Sequence, residues 1–128
     1  MVLCDTNILI HAFNGRLDTI QALNNIGYAN ILLSAITVME LYQGMGNKTE
    51  LAQMKKKIKY FDVIQFDDQV SEKSIELIAQ FRLSHDLQIP DAIIGATAIV
   101  HQIPLFTYNL KDFRFMPDII LHAPINGK

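Results

Sequence analysis

Residues 1–13 read MVLCDTNILIHAF. Val2 to Asp5 has the length and apolar character of a short strand, and Thr6 to Phe13 reads as a short helix that follows at once. Asp5 therefore stands between two segments that both read as buried. Burying an unpaired carboxylate is expensive, so the rest of the chain must bring something to that spot.

Outward from this stretch the chain alternates. Gly15 breaks the first helix, and Leu17, Ile20, Leu23 and Ile26 recur at helical spacing toward Tyr28. Ile31 to Leu33 reads as a second strand, and Ser34 as the N-cap of a helix running to Gly44. A helix over Thr49 to Tyr60 precedes a third strand, Val63 to Phe66. Asp67 and Asp68 open a long helix with Val70, Ile75, Ile78, Ala79 and Phe81 as its apolar stripe. Pro90 suits a first helical position, and that helix runs to His101. Pro104 to Thr107 is the fourth strand, and Ile119 to Leu121 a possible last one. Strands separated by helices need crossover connections, so the expected class is α/β with a mostly parallel sheet. Open parallel sheets bind ligands at the carboxyl ends of their strands, and Asp5 sits at such an end.

Bulk properties narrow the function. The 128 residues read as one domain, 1–128, with 50% hydrophobic and 19% charged residues. A formal net charge of −2 gives no global basic field, so a polyanion would need a local patch or a bridging cation. The single cysteine, Cys4, cannot staple the fold, which favours a reducing compartment. No signal peptide and no apolar run long enough to span a bilayer is visible, so a soluble cytoplasmic protein is expected, without membrane contact.

Four acids recur in company that normally excludes charge. Asp5 ends the first strand. Glu40 lies in SAITVMELYQG (34–44), Asp91 opens PDAIIGATA (90–98), and Asp112 lies in LFTYNLKDF (105–113). Gathered together they would repel, and at least one carboxyl would be pushed upward. A divalent cation resolves both the burial and the repulsion. Ligation by carboxylates alone suits a hard ion, Mg²⁺ or Mn²⁺, rather than zinc. Such an ion can activate water and stabilise charge during phosphodiester cleavage. Each acid also has a plainer reading: Asp5 as a helix cap, Asp91 as an anion near a helix N-terminus, Glu40 as half of an ion pair, Asp112 as a loop residue.

These stretches resemble the PIN domain family, and within it the VapC-type toxins of prokaryotic toxin–antitoxin pairs. LCDTNILI resembles the family's opening Asp-Thr-Asn signature, and SAITVMELYQG its Thr-x-x-Glu-Leu motif. PDAIIGATA resembles the third motif, and LFTYNLKDF the fourth, Thr-x-Asn-x-x-Asp-Phe. The motifs occur in the family's order and cover residues 3 to 113. The resemblance implies a three-layer α/β/α sandwich with a mostly parallel central sheet of four to five strands. It implies a Mg²⁺- or Mn²⁺-dependent endoribonuclease in which Asp5, Glu40, Asp91 and Asp112 bind the metal and an activated water cuts RNA. Some members carry the fourth acid where this chain has Asn109; here Asp112 is preferred, with Asn109 as a helper. Thr6, Asn7, Thr37 and Thr107 match hydroxyl and amide positions that orient the acids and waters. The implied partners are RNA, a cognate antitoxin protein and a second copy of the chain.

Other features have plainer readings. KKKIK (55–59) reads as a solvated helix face more readily than as an RNA contact, and Asp67-Asp68 as a cap. Gly95, Ala96 and Ala98 read as small residues that let their helix approach the sheet. The four histidines, His11, His85, His101 and His122, have no zinc spacing, and no phosphate-cradling glycine loop is present. Two alternatives stay open: a catalytically weak PIN domain acting as an RNA- or protein-binding module, and a Mg²⁺-dependent phospho-receiver switch.

Overall fold

The computed structural model describes residues 1–124. Four strands, β1 (Val2–Cys4), β2 (Ile31–Ser34), β3 (Asp62–Ile64) and β4 (Leu105–Phe106), form one sheet in the order β3-β2-β1-β4. Every pairing is parallel, with Leu3 beside both Leu32 and Leu105, and Leu32 beside Asp62. Six helices make the crossovers: α1 (Thr6–Phe13), α2 (Leu17–Ile26), α3 (Ala35–Gln43), α4 (Lys48–Ile58), α5 (Asp68–His85) and α6 (Ile89–His101).

The strands alternate between two cores, as the period of two in a strand requires. Val2, Cys4, Ile31, Leu33 and Phe106 pack with Ile8 and Leu9 of α1, Leu23 of α2, Leu41 of α3 and Met54 of α4. Leu3, Leu32 and Leu105 face the other way, onto Val70 and Leu77 of α5 and Ala92, Ile94, Ala96 and Ala98 of α6. A sheet covered on both faces explains why its strands read as continuous apolar runs. The result is the three-layer α/β/α sandwich expected from sequence.

Local differences have local causes. Pro104 gives its carbonyl to the Leu3 N–H at 2.9 Å but has no N–H of its own, so β4 proper begins at Leu105. The third strand ends at Ile64, and Gln65 and Phe66 lead off the sheet to the Asp67 cap. The possible last strand reduces to an isolated parallel bridge between Leu105 and Leu121. Pro90 is the second residue of α6, behind Ile89. Gly95 meets the segment after β4: a Cβ there would overlap the Met116 sulfur and lie 3.7 Å from Phe113. Among the described residues no helix is long and apolar enough to cross a membrane.

Candidate active site

An all-parallel sheet collects its carboxyl ends on one edge. Asp5 follows β1 there, Ser34 ends β2, and Thr107 follows β4. The ladder still reaches Asp5, whose N–H donates to the Phe106 carbonyl at 2.9 Å. Its backbone is extended, so its side chain can fold back as the N-cap of α1. Asp5 Oδ1 accepts the Thr6 N–H at 2.7 Å, and Oδ2 accepts the Thr107 hydroxyl at 2.8 Å. Asp5 is only 4% exposed. One carboxylate is thus fixed by two elements, with lone pairs to spare.

Thr6 carries the order further. Its Oγ1 lies 2.7 Å from Glu40 Oε1 and 3.0 Å from Thr37 Oγ1. A hydroxyl has one proton, so Thr6 donates to the carboxylate and accepts from Thr37. Thr37 is fully buried and Glu40 half-buried on the same face of α3. The helix stands in place because Ser34 caps it, accepting the Ile36 N–H at 3.2 Å. Thr107, Asp5, Thr6, Thr37 and Glu40 therefore form one connected polar chain through the carboxyl edge. Asn7 sits half-buried in the first turn of α1.

Asp91 and Asp112 join this group electrostatically. Asp91, half-buried in the first turn of α6, has its carboxyl pushed up to about 7, first by burial and then by the charges of Asp5, Asp112 and Glu40. The Asp5 carboxyl is also raised, chiefly by burial and further by Glu40 and Asp112, against the lowering effect of its Thr107 and Thr6 hydrogen bonds. Asn109 enters through its backbone. Its N–H donates to Thr107 Oγ1 at 3.0 Å, its carbonyl accepts the Asp112 N–H at 3.0 Å, and the residue is exposed. Asp112 is half-buried. Burial, with Asp5 beside it, raises the Cys4 thiol far above its usual range, so Cys4 is an inert hydrophobe.

None of the ion pairs among the described residues involves any of the four acids. Nor is any group of three His, Cys, Asp or Glu side chains there placed to hold an ion. The donor chemistry is nevertheless uniform: carboxylate and hydroxyl oxygens with no nitrogen or sulfur, which fits a hard divalent cation. The basic run is a helix face: Lys55, Lys56 and Lys57 are exposed on α4, with Lys57 Nζ 5.0 Å from the Phe13 ring centre.

Sequence reasoning passed over Tyr108. Its phenol oxygen lies 2.6 Å from Thr19 Oγ1 of α2, and its ring meets His11 of α1 edge-on at 5.2 Å. No strand period reaches it, because β4 ends at Phe106; its ring meets Phe106 edge-on with centres 5.6 Å apart.

A PIN domain family model matches residues 2–117, and the chain belongs to that family. It is 27% identical to a protein named Ribonuclease VapC from Rickettsia bellii (strain RML369-C), over 97% of each chain. It resembles a solved toxin–antitoxin complex from Klebsiella pneumoniae at TM-score 0.79 and 35% identity, covering 97% of this chain and 98% of that one. It also resembles VapBC2 from Rickettsia felis, solved bound to a DNA fragment from their promoter. There the TM-score is 0.81 and the identity 25%, with 95% of this chain and 98% of that one covered.

Proposed function

We infer that the chain is a toxin ribonuclease that acts as a single PIN domain and hydrolyses RNA phosphodiester bonds at the carboxyl edge of its sheet. The observation that carries this reading is the buried Asp5 carboxylate, fixed at both oxygens and set among three further acids, none of which has an ion-pair partner among the described residues. A buried carboxylate held in one orientation, linked through Thr6 to a second and crowded by two more, is costly to keep, and such cost marks candidate functional sites.

Asp5, Glu40, Asp91 and Asp112 would hold Mg²⁺ or Mn²⁺ at this edge. Bound there, such an ion supplies water activation and charge stabilisation for phosphoryl transfer. The chain's own residues do the positioning. Thr107 and the Thr6 N–H fix the Asp5 rotamer, and Thr6 with Thr37 fixes Glu40. Asp112 is preferred over Asn109 as the fourth ligand, because its charge is felt by Asp5 and Asp91 while Asn109 acts through its backbone. Asn7, half-buried in the first turn of α1, is proposed to help orient the acids and waters of the site.

An antitoxin is the expected partner, because the solved relatives are toxin–antitoxin complexes. A second copy of the chain is also proposed. Its support is the apolar surface left around a 620 Å³ groove between α5 and α6, where Ile75 is 71% and Ile89 66% exposed. A monomer at micromolar concentration in sedimentation would remove the dimer. A single buried thiol accords with a reducing, cytoplasmic setting.

The test is incubation of the purified, antitoxin-free chain with total cellular RNA and Mg²⁺ or Mn²⁺, with EDTA as control. Discrete cuts that need the ion and leave 5′-phosphate and 3′-hydroxyl ends are expected. Metal binding by calorimetry without any cutting would move the reading to a binding module.

A further inference from the structure

We propose that Gly95 is a positioning residue of the acidic site: the notch it leaves in α6 seats Met116, and that seat sets where Asp112 stands relative to Asp91. This rests on the ribonuclease reading and adds to it the means by which an acid carried on a loop is held in place. Asp91 and Gly95 lie four residues apart on α6, about one turn, and so share a face. Gly95 is the central residue of this 13-residue helix, where glycine is a poorer helix former than any residue but proline. Helix formation therefore does not account for it. The space it leaves does.

The segment after β4 fills that space. A Cβ at position 95 would overlap the Met116 sulfur, stand 2.9 Å from Met116 Cε and touch Phe113 Cδ1 at 3.7 Å. The end of a methionine is flexible, but Met116 is 2% exposed and packs in the core with the fully buried Phe113, so displacing it disturbs the backbone that carries it. That backbone is a run of tight turns. The Asn109 N–H donates to Thr107 Oγ1 at 3.0 Å, the Asp112 N–H to the Asn109 carbonyl at 3.0 Å, the Arg114 N–H to the Leu110 carbonyl at 2.8 Å, and the Met116 N–H to the Phe113 carbonyl at 2.9 Å. One end is pinned where Thr107 donates to Asp5 at 2.8 Å, the other where Met116 meets Gly95. Asp112 stands between the two pins. Gly44 supplies the contrast. It too follows an acid of the site, Glu40, by four residues, yet a Cβ there would meet the Glu40 and Leu41 carbonyl oxygens at an ordinary 3.6 Å.

The test compares the wild-type chain with Gly95→Ala, Gly95→Ala combined with Met116→Val, and Gly44→Ala. Met116→Val removes both of the methionine atoms that a Cβ at position 95 would crowd. The readouts are the Kd for Mn²⁺ by calorimetry, amide hydrogen exchange of the metal-free chain, and the melting midpoint. Gly95→Ala is expected to weaken Mn²⁺ binding about tenfold or more, the usual weight of a group that supports a metal site. The Asp112, Phe113 and Arg114 amides should exchange faster than in wild type, while those of β2 keep their protection. Met116→Val in the same chain should recover most of both losses, and Gly44→Ala should match wild type. A glycine needed for packing alone would lower the melting midpoint and the protection of all these amides together, and would leave the Kd of the folded chain where it was.

Should Gly95→Ala fail to fold, Met116→Ala empties the seat from the other side and is expected to loosen the same three amides and weaken Mn²⁺ binding to a similar degree. Wild-type Mn²⁺ affinity in a folded Gly95→Ala or Met116→Ala chain would overturn the seat and leave the ribonuclease reading standing. A loss in Gly95→Ala that Met116→Val does not repair would also overturn it. If the wild-type chain neither binds Mn²⁺ nor cuts RNA, but the three amides loosen in Gly95→Ala and tighten again with Met116→Val, the seat survives and the ribonuclease reading falls.

Discussion

Asp5 and Asp67 do the same local job in different company. Both stand before a helix and cap it: Asp5 accepts the Thr6 N–H at 2.7 Å, and Asp67 accepts the Val70 N–H at 2.8 Å. Asp67 has a side-chain exposure of 46% and lies 3.6 Å from His101 Nε2. Asp5 is 4% exposed, with Thr107 on its other oxygen and with Glu40, Asp91 and Asp112 acting on it or beside it. Capping alone would be served by either arrangement. Only the first keeps a carboxyl where charge is costly, and that excess is what supports the role proposed for Asp5.

The sharpest way to break the comparison is substitution by asparagine, which caps a helix as well as aspartate does. Asp5→Asn and Asp91→Asn should each lower RNA cleavage by on the order of 10³ or more while leaving the circular dichroism spectrum native. Next in size is the response to ions. Mg²⁺ or Mn²⁺ at about a hundred times its Kd should stabilise the wild-type chain by about 2.7 kcal/mol in thermal melts. Asp91→Asn should lose most of that gain.

The effect of pH on the metal-free chain comes third. Folded Asp91 ionises near pH 7, well above its ordinary 3.8, so the unfolded chain releases this proton first. Stability carried by the neutral carboxyl is whole below the ordinary value of 3.8 and is lost as pH climbs through about 7. Denaturant midpoints should fall across that window, and Asp91→Asn should flatten the fall. The smallest effect belongs to the other acid. Asp67→Ala should cost about 1 kcal/mol of stability by denaturant melts and leave cleavage unchanged.

Much of this was legible in the sequence. The alternation of short apolar runs with helical spacing gives the parallel sheet, because a strand buried on both faces shows no polar side. The caps at Asp5, Ser34 and Asp67 were readable because capping is set by residues one to three positions apart. The gathering of Asp5, Glu40, Asp91 and Asp112 followed from their standing where charge is excluded, and from family motifs. What could not be read depends on distant partners. Nothing local says that Thr6 reaches across 34 positions to Glu40, or that Thr107 reaches across 102 to Asp5. Gly95 was read as making room for the sheet, but its close neighbour is Met116, set by where the chain runs after β4. Tyr108 was missed because its anchor, Thr19, is 89 positions away.

The most direct measurement runs wild type, Asp5→Asn and Asp67→Asn side by side on one RNA preparation with Mg²⁺, and maps the cut ends. Cutting by wild type and Asp67→Asn at similar rates, with none by Asp5→Asn, is the predicted result. Cutting by Asp5→Asn at the wild-type rate would contradict the assignment of the carboxyl-edge acids.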